Sequence, residues 1–232
     1  MINGQMELKN GQAEIPPLGI TLSPLIVKMT ANAQDARLLA LAHSGKGFLR
    51  AESTLQFSKL LSGPHTIQLS GDNFKAARLP GIDLDVTPDL LLIFGKQQTE
   101  VRGTMTIPRA KITSIDFHNA TAPSSDMVVI DEENTSATAP PVPLYSDISV
   151  VVGDDVHIDA YGLKGHIGGK LTIKSQPGRP QVGNGTLNVY NGSFTMYGRR
   201  LKIDLGRLLF TGGPFTNPGI ELRSERKQEK ET

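Results

Sequence analysis

The sequence predicts an all-β fold with few short helices, and three observations support this prediction. Apolar and polar residues alternate along most of the chain, which is the periodicity of a strand with one buried face. The 232 residues include 24 glycines and 15 prolines, a density that interrupts long helices. Windows free of both residues are few, and within one of them, residues 48–62, Ala51, Ser53, Leu55 and Phe57 alternate with polar residues, which favours a strand.

The strand prediction comes from separate runs that follow one another along the chain. Each run places its apolar residues on one face and charged or hydroxyl residues on the other. Helical structure is expected only near Ser58–Leu61 and over Gln34–Leu41. The apolar residues of the alternating runs are Ile82, Leu84, Val86, Val101, Met105, Ile107, Ile148, Val150, Val152, Val156, Ile158, Ala160, Ile167, Leu171 and Ile173.

Two segments of the chain resemble each other. Residues 4–15 read GQMELKNGQAEI and residues 185–196 read GTLNVYNGSFTM. Each contains Asn-Gly between alternating runs, a pattern typical of a hairpin with a two-residue type I′ turn. The sequence therefore predicts a hairpin turn at Asn191-Gly192.

That turn would fix the register of the hairpin. Val189 would face Phe194, and Leu187 would face Met196, so one face of the hairpin would be apolar. A second hairpin is expected to follow and to continue this face. Its apolar residues are Leu201, Ile203, Leu208 and Phe210.

Residues 119–146 depart from the alternating pattern. They are rich in Ala, Ser, Thr and Pro and contain the acidic cluster Asp131-Glu132-Glu133. This composition predicts a long surface loop. We therefore expect a single domain over residues 1–226 that contains this loop, followed by a polar tail over residues 227–232.

Composition and motifs argue against several functions. The chain has no cysteine, which excludes disulfides, cysteine-ligated metals and a cysteine nucleophile. Lys and Arg number 24 against 23 Asp and Glu, a balance that argues against a nucleic-acid partner. The five histidines lack metal-ligand spacing, and no phosphate-binding loop or G-x-S-x-G elbow occurs. The sequence thus predicts neither an enzyme nor a metal or cofactor site.

A sheet with one apolar face must cover that face. A second sheet would give a sandwich or a barrel with a filled core. The alternative is a single sheet that folds around a ligand. Alternation alone leaves both arrangements open, although a filled core is the more common one.

Residues 185–226 contain closely spaced motifs such as Gly192-x-Phe194, Gly206-Arg207 and Asn217-Pro218. Through these motifs the C-terminal third resembles the C-terminal region of the TamB family. Upstream, Gly103–Ala110 reads GTMTIPRA and is similar to the family's G-T-x-x-(I/V)-P-R-A signature, and Ser124–Asp131 is similar to its S-x-D-V-V-I-V-D stretch. Order and spacing agree from about residue 82 to 226. Within residues 185–226 the matching elements are Gly185-x-Leu187-x-Val189, Gly192-x-Phe194, Tyr197-Gly198, Leu201, Gly206-Arg207, Phe210-x-Gly212 and Asn217-Pro218.

The resemblance implies a fold and a function. The fold is an elongated antiparallel sheet curled into an open apolar trough, the β-taco of AsmA-like and bridge-like lipid-transfer proteins. The function is to carry phospholipid acyl chains through the periplasm between the inner and outer membranes. The chain would be a fragment of a longer protein whose inner-membrane anchor lies outside this sequence and whose partner is the outer-membrane barrel TamA. The alternative is a scaffold for outer-membrane protein (autotransporter) assembly with TamA.

The resemblance also implies which residues line the groove. They are the apolar residues of the alternating runs and of the two expected hairpins in the matching region. The expected lining comprises Leu187, Val189, Phe194, Met196, Leu201, Ile203, Leu208, Phe210, Leu171, Ile173, Met105 and Ile107.

Overall fold

The computed structural model describes residues 3–59, 63–113, 142–160, 162–196 and 199–225. These residues form one 11-stranded sheet whose strands follow one another in chain order. Two short 3₁₀ helices, Pro16–Leu18 and Phe57–Lys59, are the helices of the described part. Neither has the length or the hydrophobicity needed to span a membrane. The predicted all-β fold with few short helices is confirmed.

The strand bounds follow the alternating runs of the sequence. The strands are β1 Gly4–Ile15, β2 Ile20–Ala31, β3 Asp35–Gln56, β4 His65–Leu79, β5 Ile82–Phe94, β6 Thr99–Thr113, β7 Leu144–Ala160, β8 Leu163–Ser175, β9 Val182–Met196, β10 Arg199–Pro214 and β11 Gly219–Glu225.

Neighbouring strands pair antiparallel except for β6 and β7, which are parallel. A parallel pair needs a long connection, because the chain must return to the end from which the first strand started. The connection from Thr113 to Leu144 has this role, and it contains most of the predicted surface loop. Residues 119–141 of that loop lie outside the described residues, as does the predicted tail. Residues 144–146, also predicted as loop, are instead the first residues of β7.

Strand β3 doubles back on itself. The amide of Phe57 donates a hydrogen bond to the carbonyl of Gln34 at 2.9 Å, so the two ends of this 22-residue element meet. A straight strand of that length would hold them roughly 70 Å apart. The first part of β3 pairs with β2 and the second part with β4, on either side of a bend at Gly45. The predicted helix over Gln34–Leu41 was wrong, since these residues from Asp35 onward form the first part of β3.

The predicted hairpin turn at Asn191-Gly192 was also wrong. A type I′ turn needs positive φ at both central residues, whereas here only Asn191 has it, with φ of 50°. Asn191 is the extra residue of a bulge inside the continuous strand β9. Asn10 (φ 53°) occupies the equivalent bulge in β1, so the repeated segments share a bulge rather than a turn.

The bulge changes the predicted register. Leu187 lies opposite Leu208, and Phe194 lies opposite Leu201, instead of pairing within β9. The predicted second hairpin is one continuous strand, β10.

Register shifts occur near the middle of most strands and line up across the sheet. Bulges bend a strand and increase its twist, so an aligned row of them bends the whole sheet along one line. The sheet is therefore curled, and it stays open because β1 and β11 do not pair within the described residues. The shifts fall at Leu8/Gly11, Gly45/Phe48, Ser70/Phe74, Asp85/Thr87, Ile107/Arg109, Val152/His157, Lys164/His166 and Ile203/Leu205.

No second layer covers this sheet in the described part. The main strand contacts are between sequence neighbours, and β4 also meets β2 and the first 3₁₀ helix. Accordingly, no large side chain there has less than 2% of its surface exposed. The filled sandwich is thus excluded for these residues, and apolar side chains are shielded only by others on the same curled face.

Candidate functional site

The apolar residues of β5 to β11 form rows that run across the strands on one face of the sheet. One row joins Pro88, Met105, Val150, Leu171 and Phe210, with Gly185 between the last two. Paired residues of neighbouring strands point to the same face, so these side chains share one surface. We call this surface the apolar face. A second row consists of Leu92 and Val101. A third row consists of Ile107, Val152, Gly169, Leu187, Leu208 and Ile220.

The apolar face continues past the line of bulges. A Cβ built on Gly206 would lie 2.9 Å from Val189 Cβ and 3.2 Å from Ile203 Cγ2, so both side chains lie over that glycine. Leu163, Phe194 and Leu201 form the next row toward the end of the strands. The bulge at Asn191 absorbs one residue and keeps the apolar positions on the same face.

The structure places all the predicted lining residues on the apolar face, apart from Met196, whose side chain is outside the described set. They differ in burial. Leu171 and Ile203 are each 4% exposed and Phe210 is 7% exposed, as expected of structural core positions. The others are half-buried and reach the surface. Whether they line a lipid groove stays a prediction.

Three glycines of the apolar face escaped the sequence reasoning. Gly103, Gly169 and Gly185 have φ of 135°, 137° and 141°, a region that other residues rarely adopt. A Cβ on any of them would lie 2.2 to 2.3 Å from a carbonyl oxygen of the neighbouring strand. The sequence did contain a signal for them, because an isolated glycine inside an alternating run often marks a place where two backbones approach closely.

The opposite face is polar and carries most of the ion pairs. Lys174 pairs with Asp147 at 3.0 Å, and Lys164 pairs with Asp159 at 2.8 Å, both across neighbouring strands. A depression of about 620 Å³ on this face is bordered by Lys28, Arg37, Glu52 and Gln68, among others. Its lining pairs no nucleophile with a base, so it does not suggest catalysis.

One charged cluster on the polar face is buried. Lys75 is 4% exposed and Asp85 is 7% exposed, although the sequence places Asp85 on an ordinary polar face. Lys75 Nζ lies 2.5 Å from Asp85 Oδ1 and also hydrogen-bonds Asp83. Arg109 Nε donates to Asp85 Oδ2 at 2.7 Å, which raises the pKa of the guanidinium. We call these four residues the buried charge cluster after its two buried members, Lys75 and Asp85; the side chains of Asp83 and Arg109 are 38% and 50% exposed.

We expect the cluster to make stability depend on pH. The hydrogen bond from Lys75 lowers the pKa of Asp83 below its ordinary value. A lowered folded-state pKa contributes stability above the unfolded-state pKa, and this contribution is lost as the pH falls through the folded-state value. We expect the urea midpoint of the wild type to fall more between about pH 5 and pH 2 than that of Asp83→Asn. Parallel pH profiles for the two proteins would contradict this prediction.

No three His, Asp or Glu side chains of the described residues are arranged to hold a metal ion. The rings of His157 and His166 are 4.2 Å apart, but His157 Nε2 is already paired with Asp155 at 2.8 Å. The apolar face, which is continuous, chemically unreactive and not covered by another layer of the described residues, is therefore the candidate site. It is suited to hold hydrocarbon.

Comparison with known proteins gives a matching family model and a matching relative. The family model of the TamB C-terminal domain matches residues 35–231. The chain is also 21% identical over 241 aligned residues to the "Translocation and assembly module subunit TamB" of Haemophilus influenzae. That alignment covers 99% of this chain and 18% of the relative, so the chain spans less than a fifth of that protein's length.

Proposed function

This chain belongs to the TamB family through its C-terminal domain, and from that premise we propose that it holds the acyl chains of phospholipids on its apolar face. It would act as one segment of a periplasmic path between the inner and outer membranes. The observation that supports this proposal most directly is the apolar face that runs across β5 to β11 and that no second layer of the described residues covers.

The free energy available from such a surface is large. Burying one CH₂ group contributes about 0.8 kcal/mol, so a chain of about 16 carbons would gain on the order of 10 kcal/mol. Half-buried residues such as Leu187, Val189 and Leu208 would supply the contact. The polar head group would stay in water at the open side of the trough, which requires no specific polar pocket.

The dimensions fit one part of a longer path. Eleven strands about 4.8 Å apart extend roughly 50 Å. The matched relative is several times longer, so further segments would extend the same surface. We propose that an anchor outside this sequence holds the protein in the inner membrane and that the outer-membrane barrel TamA is its partner in a translocation and assembly module.

The edges of the sheet favour a second candidate function. Leu8 on β1 is 46% exposed, and Ile220 and Leu222 on β11 are 73% and 50% exposed. Unpaired edge strands accept a further strand through their backbone groups. A scaffold that pairs with a nascent outer-membrane strand would use these edges rather than the apolar face.

The substitution Val189→Asp tests the lipid proposal. Val189 is half-buried, so a carboxylate there stays hydrated while it places charge among the acyl chains. We expect the variant to fold with a melting temperature close to the wild type and to lose most co-purifying phospholipid, measured by extraction and mass spectrometry. Leu171→Asp should unfold, because Leu171 is 4% exposed.

Asn188→Asp is the matched control. It places the same charge on the same strand but on the polar face, opposite Arg207. Lipid content should stay at the wild-type level in this control. Normal lipid content in folded Val189→Asp would refute the assignment of the lining. Capture of unfolded barrel peptides by a lipid-free wild type would favour the scaffold.

A further inference from the structure

The polar face carries a depression of about 310 Å³ on strand β8. Its floor is Gly168, which lies opposite Asn188 of the polar face and is buried. Bulges of the two neighbouring strands form its walls: β7 has four residues between Val152 and His157 where β8 has two, and β9 has its extra residue at Asn191. We call it the Tyr190 depression, and it is bordered by Asp154, His166, Ile167, Gly168, Tyr190 and Asn191.

Tyr190 supplies an aromatic ring that is supported by the backbone and open to solvent. It follows Val189 of the apolar face and therefore points to the polar face. A Cβ built on Gly168 would lie 3.1 Å from Tyr190 Cε2, so the ring rests against the bare backbone of that glycine. Tyr190 nevertheless stays 52% exposed, more than any other Phe or Tyr of the described residues. A supported and exposed ring presents an aromatic surface to a ligand.

Polar groups around Tyr190 are free to bind a ligand. Asp154 and Asn191 are both exposed, and within the described residues neither side chain forms an ion pair or a hydrogen bond. His166 Nδ1 is buried and also lacks a hydrogen-bond partner in that part of the chain. A carboxylate accepts hydrogen bonds, and an amide both donates and accepts them. The depression therefore offers both kinds of contact that a ligand hydroxyl group makes.

A second exposed tyrosine on the polar face lacks these free groups. Tyr145 is 38% exposed and borders a depression of about 300 Å³. The two carboxylates beside it are both engaged, because they pair with Arg102 and Lys174. An exposed ring and unpaired hydrogen-bonding side chains thus occur together at Tyr190 but not at Tyr145.

We propose that the Tyr190 depression binds an uncharged saccharide, with one sugar ring on Tyr190 and its hydroxyl groups on Asp154 and Asn191. A sugar ring has C–H groups on its faces and hydroxyl groups around its edge, which match an aromatic surface with a polar rim. The volume is at the lower end of the range for ligand pockets, about 300–1,000 Å³, and suits one or two sugar rings. This site lies on the polar face and does not depend on the proposed lipid function.

Charge and position disfavour other ligands. The Asp154 carboxylate repels an anion, which argues against a phosphate or a nucleic acid. A cation would interact with Tyr190 and Asp154 but would leave the amide N–H groups of Asn191 without an acceptor. The acyl chain of a glycolipid would have to stay in water, because the apolar face lies on the other side of the sheet. The lining therefore favours a saccharide that carries no lipid.

The test is an NMR titration of the whole chain with two disaccharide probes, maltose and chitobiose. We expect Tyr190→Ala to weaken binding of the better probe about tenfold, because the stacking surface is lost. Tyr190→Phe keeps the ring and should recover most of the binding, and Asp154→Ala should weaken it about fivefold through the lost hydrogen bonds. Tyr145→Ala is the matched control and should bind normally. Melting temperatures establish that each variant is folded.

Four results would overturn the inference. A wild type that binds neither disaccharide at about 10 mM would refute the site, whatever its lipid content. Equal weakening by Tyr190→Ala and Tyr145→Ala would show unspecific stacking on exposed tyrosines. Binding of tetramethylammonium without either disaccharide would make a cation the ligand. Much tighter binding of octyl maltoside, below its micelle concentration, than of maltose at this site would make a glycolipid the ligand.

Discussion

Replacing Gly103 with valine is expected to unfold the sheet. Gly103 has φ of 135°, and a Cβ there would lie 2.2 Å from the Asp89 carbonyl oxygen and 3.0 Å from Leu90 Cα. The strained backbone alone costs about 1–3 kcal/mol, and relieving the clash requires β5 and β6 to separate. We expect a loss of at least about 3 kcal/mol in the free energy of unfolding, measured by urea denaturation.

Gly213→Ala is the matched control for this prediction. No atom lies within 4 Å of a Cβ built at Gly213, and its φ is outside the positive region. We expect its unfolding free energy to change by less than about 0.5 kcal/mol. A Gly103→Val protein as stable as this control would show that the sheet relaxes around the new side chain.

Lys75→Met is expected to destabilise the protein by about 3 kcal/mol. Lys75 is 4% exposed and pairs with both carboxylates of the buried charge cluster. Methionine keeps most of the volume but leaves Asp83 and Asp85 facing each other with Arg109 as their main remaining partner. Removing one partner of a buried pair costs more than the pair itself contributes. Thermal and urea denaturation near neutral pH measure the loss.

Lys164→Met is the control, because the Lys164 pair with Asp159 is exposed on both sides. Its loss should change stability by less than about 1 kcal/mol. The double variant Lys75→Met, Asp83→Asn should recover part of the stability, since it removes one uncompensated carboxylate. Equal effects of Lys75→Met and Lys164→Met would show that the cluster is hydrated and contributes little.

Alternation predicted which residues share a face because side chains on a strand have a period of two. Leu187, Val189, Leu208 and Phe210 were assigned to one face from the sequence, and the register places them there. The register agrees with this assignment although the turn predicted at Asn191-Gly192 was wrong. The bulge in β9 shifts the alternation by one residue, so Phe194 stays on the same face as Leu187 and Val189, although its partner is Leu201 on β10.

Asn191-Gly192 shows that a local sequence pattern can predict a backbone conformation without predicting the structure that uses it. The sequence correctly indicated positive φ at Asn191, because Asn is among the residues that tolerate it. A turn and a bulge both use that conformation, and only the pairing of β9 with β8 and β10 selects the bulge. The parallel pairing of β6 and β7 and the doubling back of β3 likewise depend on which strands meet.

The sequence by itself determined the all-β class, the polarity of the two faces and most residues of the apolar face, since each follows from local alternation. Only the tertiary structure decided that this face has no covering layer in the described part, because the aligned bulges that curl the sheet arise from pairing between distant segments. It also decided the burial of Lys75 and Asp85, which alternation places on an exposed face. Burial depends on which other residues pack around a side chain, and a periodic pattern along the chain does not specify those residues.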